Sequence, residues 1–140
     1  MMKYKIIAKY LKNLKFNIPN TKTFFLLAEN ISNYKINIDI KSNQIKEKII
    51  EVETCLELKA KNGDFEKITT QIIHATIIEI EDKQISKEVL EKIILIEIPK
   101  KIYDEVRESF VNLFEKCGFK DIKIDKKVDF ENLYNQRKIQ

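Results

Sequence analysis

The sequence predicts an α+β fold: a four-stranded antiparallel meander sheet with one long helix and a short C-terminal helix. Three observations lead there. Apolar and polar residues alternate in successive stretches across residues 4–81, the period of half-buried strands. From Val89 onward the apolar spacing lengthens to that of a helix. Finally, Gly63, Gly118, Pro19 and Pro99 are the only glycines and prolines, so each marks a boundary. At 140 residues the chain fits a single domain spanning 1–140, long enough to bury roughly two thirds of its unfolded surface.

The first strand is expected over Tyr4 to Ile18 and the second around Tyr34, Ile36, Ile38 and Ile40, whose neighbours are Lys35, Asn37, Asp39 and Lys41. In the third, Ile50, Val52, Leu56 and Leu58 share one face and Glu51, Glu53 and Glu57 the other, so these carboxylates read as a solvated face. Asn62-Gly63 suits a hairpin turn because this pair readily takes positive φ. The returning segment, Phe65 to Glu81, has Ile72, Ile73, Ala75, Ile77 and Ile78 on both faces, and such a strand expects cover on both sides. Val89 and Ile93 can share a short helix face before Pro99. Ile102, Val106, Phe110, Leu113 and Cys117 then recur at helical spacing, with Gly118 where a C-cap glycine belongs. Asp129 is placed to cap a last short helix through Phe130, Leu133 and Tyr134.

Composition excludes several function classes. The net charge of +4 is almost wholly lysine, since Arg107 and Arg137 are the only arginines. Lysine lacks the planar fork suited to bidentate phosphate recognition, which counts against a nucleic-acid role, although Lys3, Lys5, Lys9, Lys12 and Lys15 on the first strand keep a basic nucleic-acid-associated module as an alternative. Enrichment in Lys, Ile and Asn is also what an AT-rich coding sequence yields. His74 is the sole histidine and sits among isoleucines, so it reads as a packed or interface side chain. Without a second histidine there is no ordinary zinc site or catalytic dyad, and no metal or cofactor is expected. Cys55 and Cys117 have no metal-like spacing and read as buried thiols of a reducing compartment. No glycine-rich phosphate loop occurs. An enzyme is therefore not expected. The opening Met1-Met2-Lys3-Tyr4 leads straight into strand alternation with short apolar runs, so the expectation is a cytoplasmic protein without signal peptide or membrane span.

What remains is apolar surface in excess of cover. A four-stranded sheet has two faces, and one long helix shields one of them. The other leaves Ile36, Ile38, Leu56 and Leu58 beneath a loop and the short helix, and such contiguous patches mark interaction sites.

Two stretches add a likeness. Tyr4 to Phe25 reads Y-K-I-I-A-K-Y-L-K-N-L-K-F-N-I-P-N-T-K-T-F-F. Ile102 to Ile124 reads I-Y-D-E-V-R-E-S-F-V-N-L-F-E-K-C-G-F-K-D-I-K-I, followed by V-D-F-E-N-L-Y from Val128 to Tyr134. In this order they resemble the SecB protein-export chaperone family over nearly the whole chain. The resemblance implies an α+β subunit assembling as a dimer of dimers, with long helices sandwiched between two sheets. It implies an ATP-independent holdase that keeps unfolded precursor polypeptides from folding or aggregating and passes them to the SecA motor. By that likeness, the crossover residues Phe24, Phe25 and Leu27 and the last helix with Phe130, Leu133 and Tyr134 flank a groove for unfolded chains. Ile122 and Ile124 join its wall. Family members carry acidic SecA contacts at positions that here correspond to Asn13, Asn17 and Gln71, and an acidic tail where this chain reads N-Q-R-K-I-Q. Those departures fit equally drift with compensating contacts and, as an alternative to export, a SecB-like chaperone of a toxin–antitoxin system.

Overall fold

The structure is a computed structural model that describes residues 3–29, 34–60, 69–119, 124 and 126–139. Four strands, β1 (Tyr4–Asn17), β2 (Tyr34–Lys46), β3 (Ile49–Ala60) and β4 (Thr69–Ile80), form one antiparallel sheet. Its order is β1-β4-β3-β2, so β2, β3 and β4 meander while β1 crosses over to pair with β4. A plain series would have put β1 beside β2. The pattern of β4 explains the difference: a strand apolar on both faces belongs inside a sheet, and lysine-rich β1 suits an edge. Asn62-Gly63 and the start of the expected Phe65–Glu81 strand lie outside the described residues.

Even-numbered residues of β3 and β4 face the helices. Val52, Leu56, Ile72 and Ile78 are fully buried there. Against them lies an uninterrupted helical run of 30 residues made of α2 (Lys87–Lys92), a π turn (Ile93–Glu97) and α3 (Ile98–Lys116). Ser86 caps its start, its hydroxyl oxygen accepting from the Val89 N–H. Pro99 does not stop it. The proline falls at the first positions of α3, just after the wide π turn, where its missing N–H and its ring cost least. Ile98, Ile102, Val106, Phe110 and Phe114 bring the helix's inner face onto the sheet.

The long helix ends as its glycine suggests. Gly118 has φ +101°, Phe119 N–H donates to the Phe114 carbonyl and Gly118 N–H to the Glu115 carbonyl, a Schellman cap. Phe119 then tucks back among Phe16, Phe24 and Phe114, with ring centroids 6.4, 4.7 and 5.7 Å away.

The segment expected as a loop after β1 is instead helix α1 (Thr21–Glu29). Asn20 caps it: its side-chain oxygen accepts from the Thr23 N–H at 2.8 Å and the Thr23 hydroxyl at 2.9 Å. Asparagine after proline is thus a helix start. The last helix, α4 (Phe130–Ile139), begins where Asp129 Oδ1 accepts from the Asn132 N–H at 2.9 Å.

Candidate functional site

β2 is an edge strand, so along one side its main-chain groups have no strand partner among the described residues. Beside it run two confluent cavities of about 590 and 370 Å³ that share Ile40, Leu95 and Tyr134. Ile38 and Ile40 of β2 make the floor. Ile94 and Leu95 of the π turn form one wall, and Phe130, Leu133 and Tyr134 of α4 form the other. The α4 wall is pinned in two places. The Phe130 ring meets Tyr103 of α3 edge-on at 5.9 Å, and the Tyr134 hydroxyl donates to the Glu91 carboxylate at 3.4 Å. Upstream of α4, Arg107 Nε donates to the Ile124 carbonyl at 3.0 Å and holds the connecting arm against α3. The result is an open groove of mixed lining, apolar from Ile38, Ile40, Ile94, Leu95, Phe130 and Leu133 and polar from Asp39, Lys41, Ser42, Asn43 and Glu91.

Of the residues expected to line a groove, Ile38, Phe130, Leu133 and Tyr134 border these cavities. Ile36 is half-buried against the core. Leu56 and Leu58 are a correction: at 0% and 7% exposure they belong to the core, because α3 packs on β3 and β4. Ile124 is also buried, and Ile122 and the Leu27 side chain lie outside the described residues. Phe24 packs on Phe119 at the C-terminal end of α3, while Phe25 beside it is 58% exposed, and neither cavity is lined from α1. Reasoning from sequence missed Ile40, Ile94 and Leu95. It also missed the open apolar side chains on edge strand β1, where Ile7, Leu11 and Leu14 are nearly half exposed.

On the sheet face away from the helices, the expected solvated carboxylates behave differently. Glu51 is only 5% exposed. It accepts from the Tyr10 hydroxyl, from Lys12 Nζ at 2.8 Å and from Asn43 Nδ2 at 3.1 Å. Tyr10 and Lys12 belong to β1, two strands away, and they reach over β4 because Ala75 beneath is small. The Lys12 and Tyr10 donors hold the Glu51 carboxyl far down, at about 2, against the upward push of burial. This polar brace supplies the second-face cover that apolar β4 requires. Asn13 and Gln71 lie on the same face, Asn13 Nδ2 donating to Gln71 Oε1 at 3.4 Å, while Asn17 is exposed at the end of β1. A cavity of about 240 Å³ next to Gln71 is bordered by Asp39, Lys41, Glu53 and Glu57.

Among the described residues, no catalytic arrangement comes together around the remaining titratable side chains. His74 Nε2 lies 3.2 Å from Ser109 Oγ on α3, and burial lowers its pKa despite the opposing pull of Glu105. Both cysteines, expected as buried thiols, are half-buried and form no disulfide. Burial raises both, with Glu57 adding to the rise at Cys55, so neither is an activated nucleophile. Among the described residues, no cluster of three or more histidines, cysteines or carboxylates is placed to hold a metal ion, and no helix is long and apolar enough to cross a membrane. The lysines of β1 are largely committed to the chain itself: Lys5 pairs with Glu79, Lys9 with Glu105 at 2.8 Å, and Lys12 with Glu51 and Glu53.

Comparison with known proteins follows from this geometry. The family model described as "Preprotein translocase subunit SecB" matches residues 1–140. A Pelagibacter ubique protein, named in the protein-export SecB group, is 39% identical over 134 residues, 96% of each chain. The protein-export protein SecB of Rhodopseudomonas palustris is 28% identical over 131 residues, covering 94% of this chain and 81% of that one. Among solved structures, a SecB-like chaperone of Mycobacterium tuberculosis, in complex with an antitoxin peptide, superposes with a TM-score of 0.64 at 12% identity. It covers 90% of this chain and 88% of the other.

Proposed function

The chain belongs to the SecB family, and from that premise we propose that it is an ATP-independent holdase that binds unfolded precursor polypeptides in the cytoplasm for export. The observation that carries this reading is the open groove between β2 and α4, in which Ile38, Ile40, Ile94, Leu95, Phe130 and Leu133 give apolar contacts among polar Lys41, Ser42, Asn43 and Glu91, next to a strand edge unpaired among the described residues. An extended client segment can add to the β2 edge through its main chain, which every sequence possesses, and rest alternate side chains on Ile38, Ile40, Leu95 and Leu133. Shallow contacts of this kind are weak singly. Repeated over several subunits they become strong by avidity, and binding only the unfolded client shifts its folding equilibrium by mass action. No cofactor, metal or catalytic step is part of the proposal.

Self-association supplies the repetition. β1 presents a free edge with Ile7, Leu11 and Leu14 open, which supports a homo-oligomer such as a dimer of dimers. Delivery to SecA would use the outer sheet face, where Asn13, Asn17 and Gln71 offer amides in place of charges and Asp39 and Glu57 add carboxylates beside Lys41. Export is favoured over a toxin–antitoxin role because relatives named for export are similar in sequence over nearly the whole chain, whereas the likeness to the antitoxin-bound chaperone is one of fold. A nucleic-acid module is disfavoured by the ion pairs that occupy Lys5, Lys9 and Lys12.

Suppression of aggregation of a denatured test protein, followed by light scattering, tests the groove. Leu133→Asp, on an exposed position of α4, should abolish protection while sedimentation shows the same assembly. Phe25→Asp should do so only if the client track extends to α1. Undiminished protection by Leu133→Asp would remove the groove from the mechanism.

A further inference from the structure

The inner face of the long helix follows a simple rule with one exception. Val89 and Ile93 are four residues apart, and so are the successive members of Ile98, Ile102, Val106, Phe110 and Phe114. Between Ile93 and Ile98 the step is five, yet both are completely buried. In a regular α-helix five residues turn by about 500°, which would leave Ile98 about 140° away from the face that holds Ile93. The π turn closes that gap, with the Ile98 N–H donating to the Ile93 carbonyl. One extra residue is thereby extruded sideways, and the extrusion occurs where Ile94 and Leu95 border the groove.

We propose that the π turn is a positioning element for client binding. Its surplus residue pushes Leu95, shared by both cavities, toward β2 and α4 and so creates the groove's inner wall. This rests on the holdase reading of that groove. A segment one residue shorter, continuing as a regular α-helix, would satisfy the same core contacts and draw Leu95 back toward the helix axis. Pro99 fits the arrangement: it is the second residue after the π turn and lacks the N–H that a regular ladder would require at that point.

The test compares the affinity of the full-length chain and its variants for reduced, carboxymethylated α-lactalbumin, a permanently unfolded probe, by fluorescence anisotropy. Deleting exposed Glu97 together with Pro99→Ala restores four-residue spacing and a regular helix, and Pro99→Ala alone is the control. The deletion should raise Kd about tenfold, equivalent to about 1.4 kcal/mol, with thermal midpoint and sedimentation unchanged, while the control binds as the unaltered chain does. Leu95→Ala, which leaves the turn intact, guards against a misfolded deletion and should also raise Kd about tenfold. Failure of the unaltered chain to bind the probe would sink the holdase reading and this inference with it. Binding by the unaltered chain matched by both Leu95→Ala and the deletion would overturn the role of the π turn alone.

Discussion

Glu51 shows how little a strand pattern says about a single side chain. By alternation it belongs to the polar face with Glu53 and Glu57, and it does, but three donors close over it, two from β1 across β4 and one from adjacent β2. A carboxylate held well below its ordinary range stabilises the fold above the unfolded value of about 4.3. That contribution is lost as pH falls through the folded value of about 2. Glu51→Gln keeps the shape and removes the charge. It should cost roughly 1.5–3 kcal/mol at neutral pH, the range for hydrogen bonds to charged groups, measured by urea unfolding. Between pH 4 and pH 2 the gap from the unaltered protein should narrow as its own Glu51 takes up a proton, and a constant gap would show that the brace does not titrate.

Among the elements, α3 is the best determined, because sequence periodicity, packing and capping agree along its length. Phe110 and Phe114 are fully buried against the sheet, and the chain leaves the helix through a left-handed glycine. A Cβ at Gly118 would lie 3.2 and 3.3 Å from the Phe24 ring as well as facing an unfavourable φ. Gly118→Ala should therefore destabilise by roughly 1–2 kcal/mol or more, read from the urea midpoint, and it should loosen α1, whose Phe24 is the neighbour displaced. A fully stable variant would mean that the cap and the ring both relax without cost. The α1 helix was harder to foresee. Thr21 to Glu29 is short, its apolar pair Phe24-Phe25 has no helical repeat, and only Asn20 after Pro19 signalled its start.

At the scale of the molecule, the two edges of the sheet have different fates. The β2 edge borders the groove, and the β1 edge carries open apolar side chains next to lysines already paired within the subunit. Charge repulsion along β1 is therefore reduced, and the strand is suited to meet a second copy. Leu11→Asp combined with Leu14→Asp should yield a smaller sedimenting species that remains folded. Because avidity requires several grooves, that species should protect clients much less per subunit. An unchanged sedimentation coefficient would detach self-association from β1.

Periodicity, a changed repeat after Ser86 and a few boundary residues were sufficient for four strands, a long helix, Asp129 as a cap and Gly118 as an end, because each depends on interactions within a few residues along the chain. The two quoted stretches were likewise sufficient for the family. Tertiary packing decided the strand order, since nothing local tells β1 whether its partner is β2 or β4. It decided that Leu56 and Leu58 are core while Leu95 faces the groove, since alternation sorts side chains to a face without saying what covers that face. It also decided that Glu51 is enclosed, because its donors come from residues 8 to 41 positions away in sequence and meet it only when the sheet has formed.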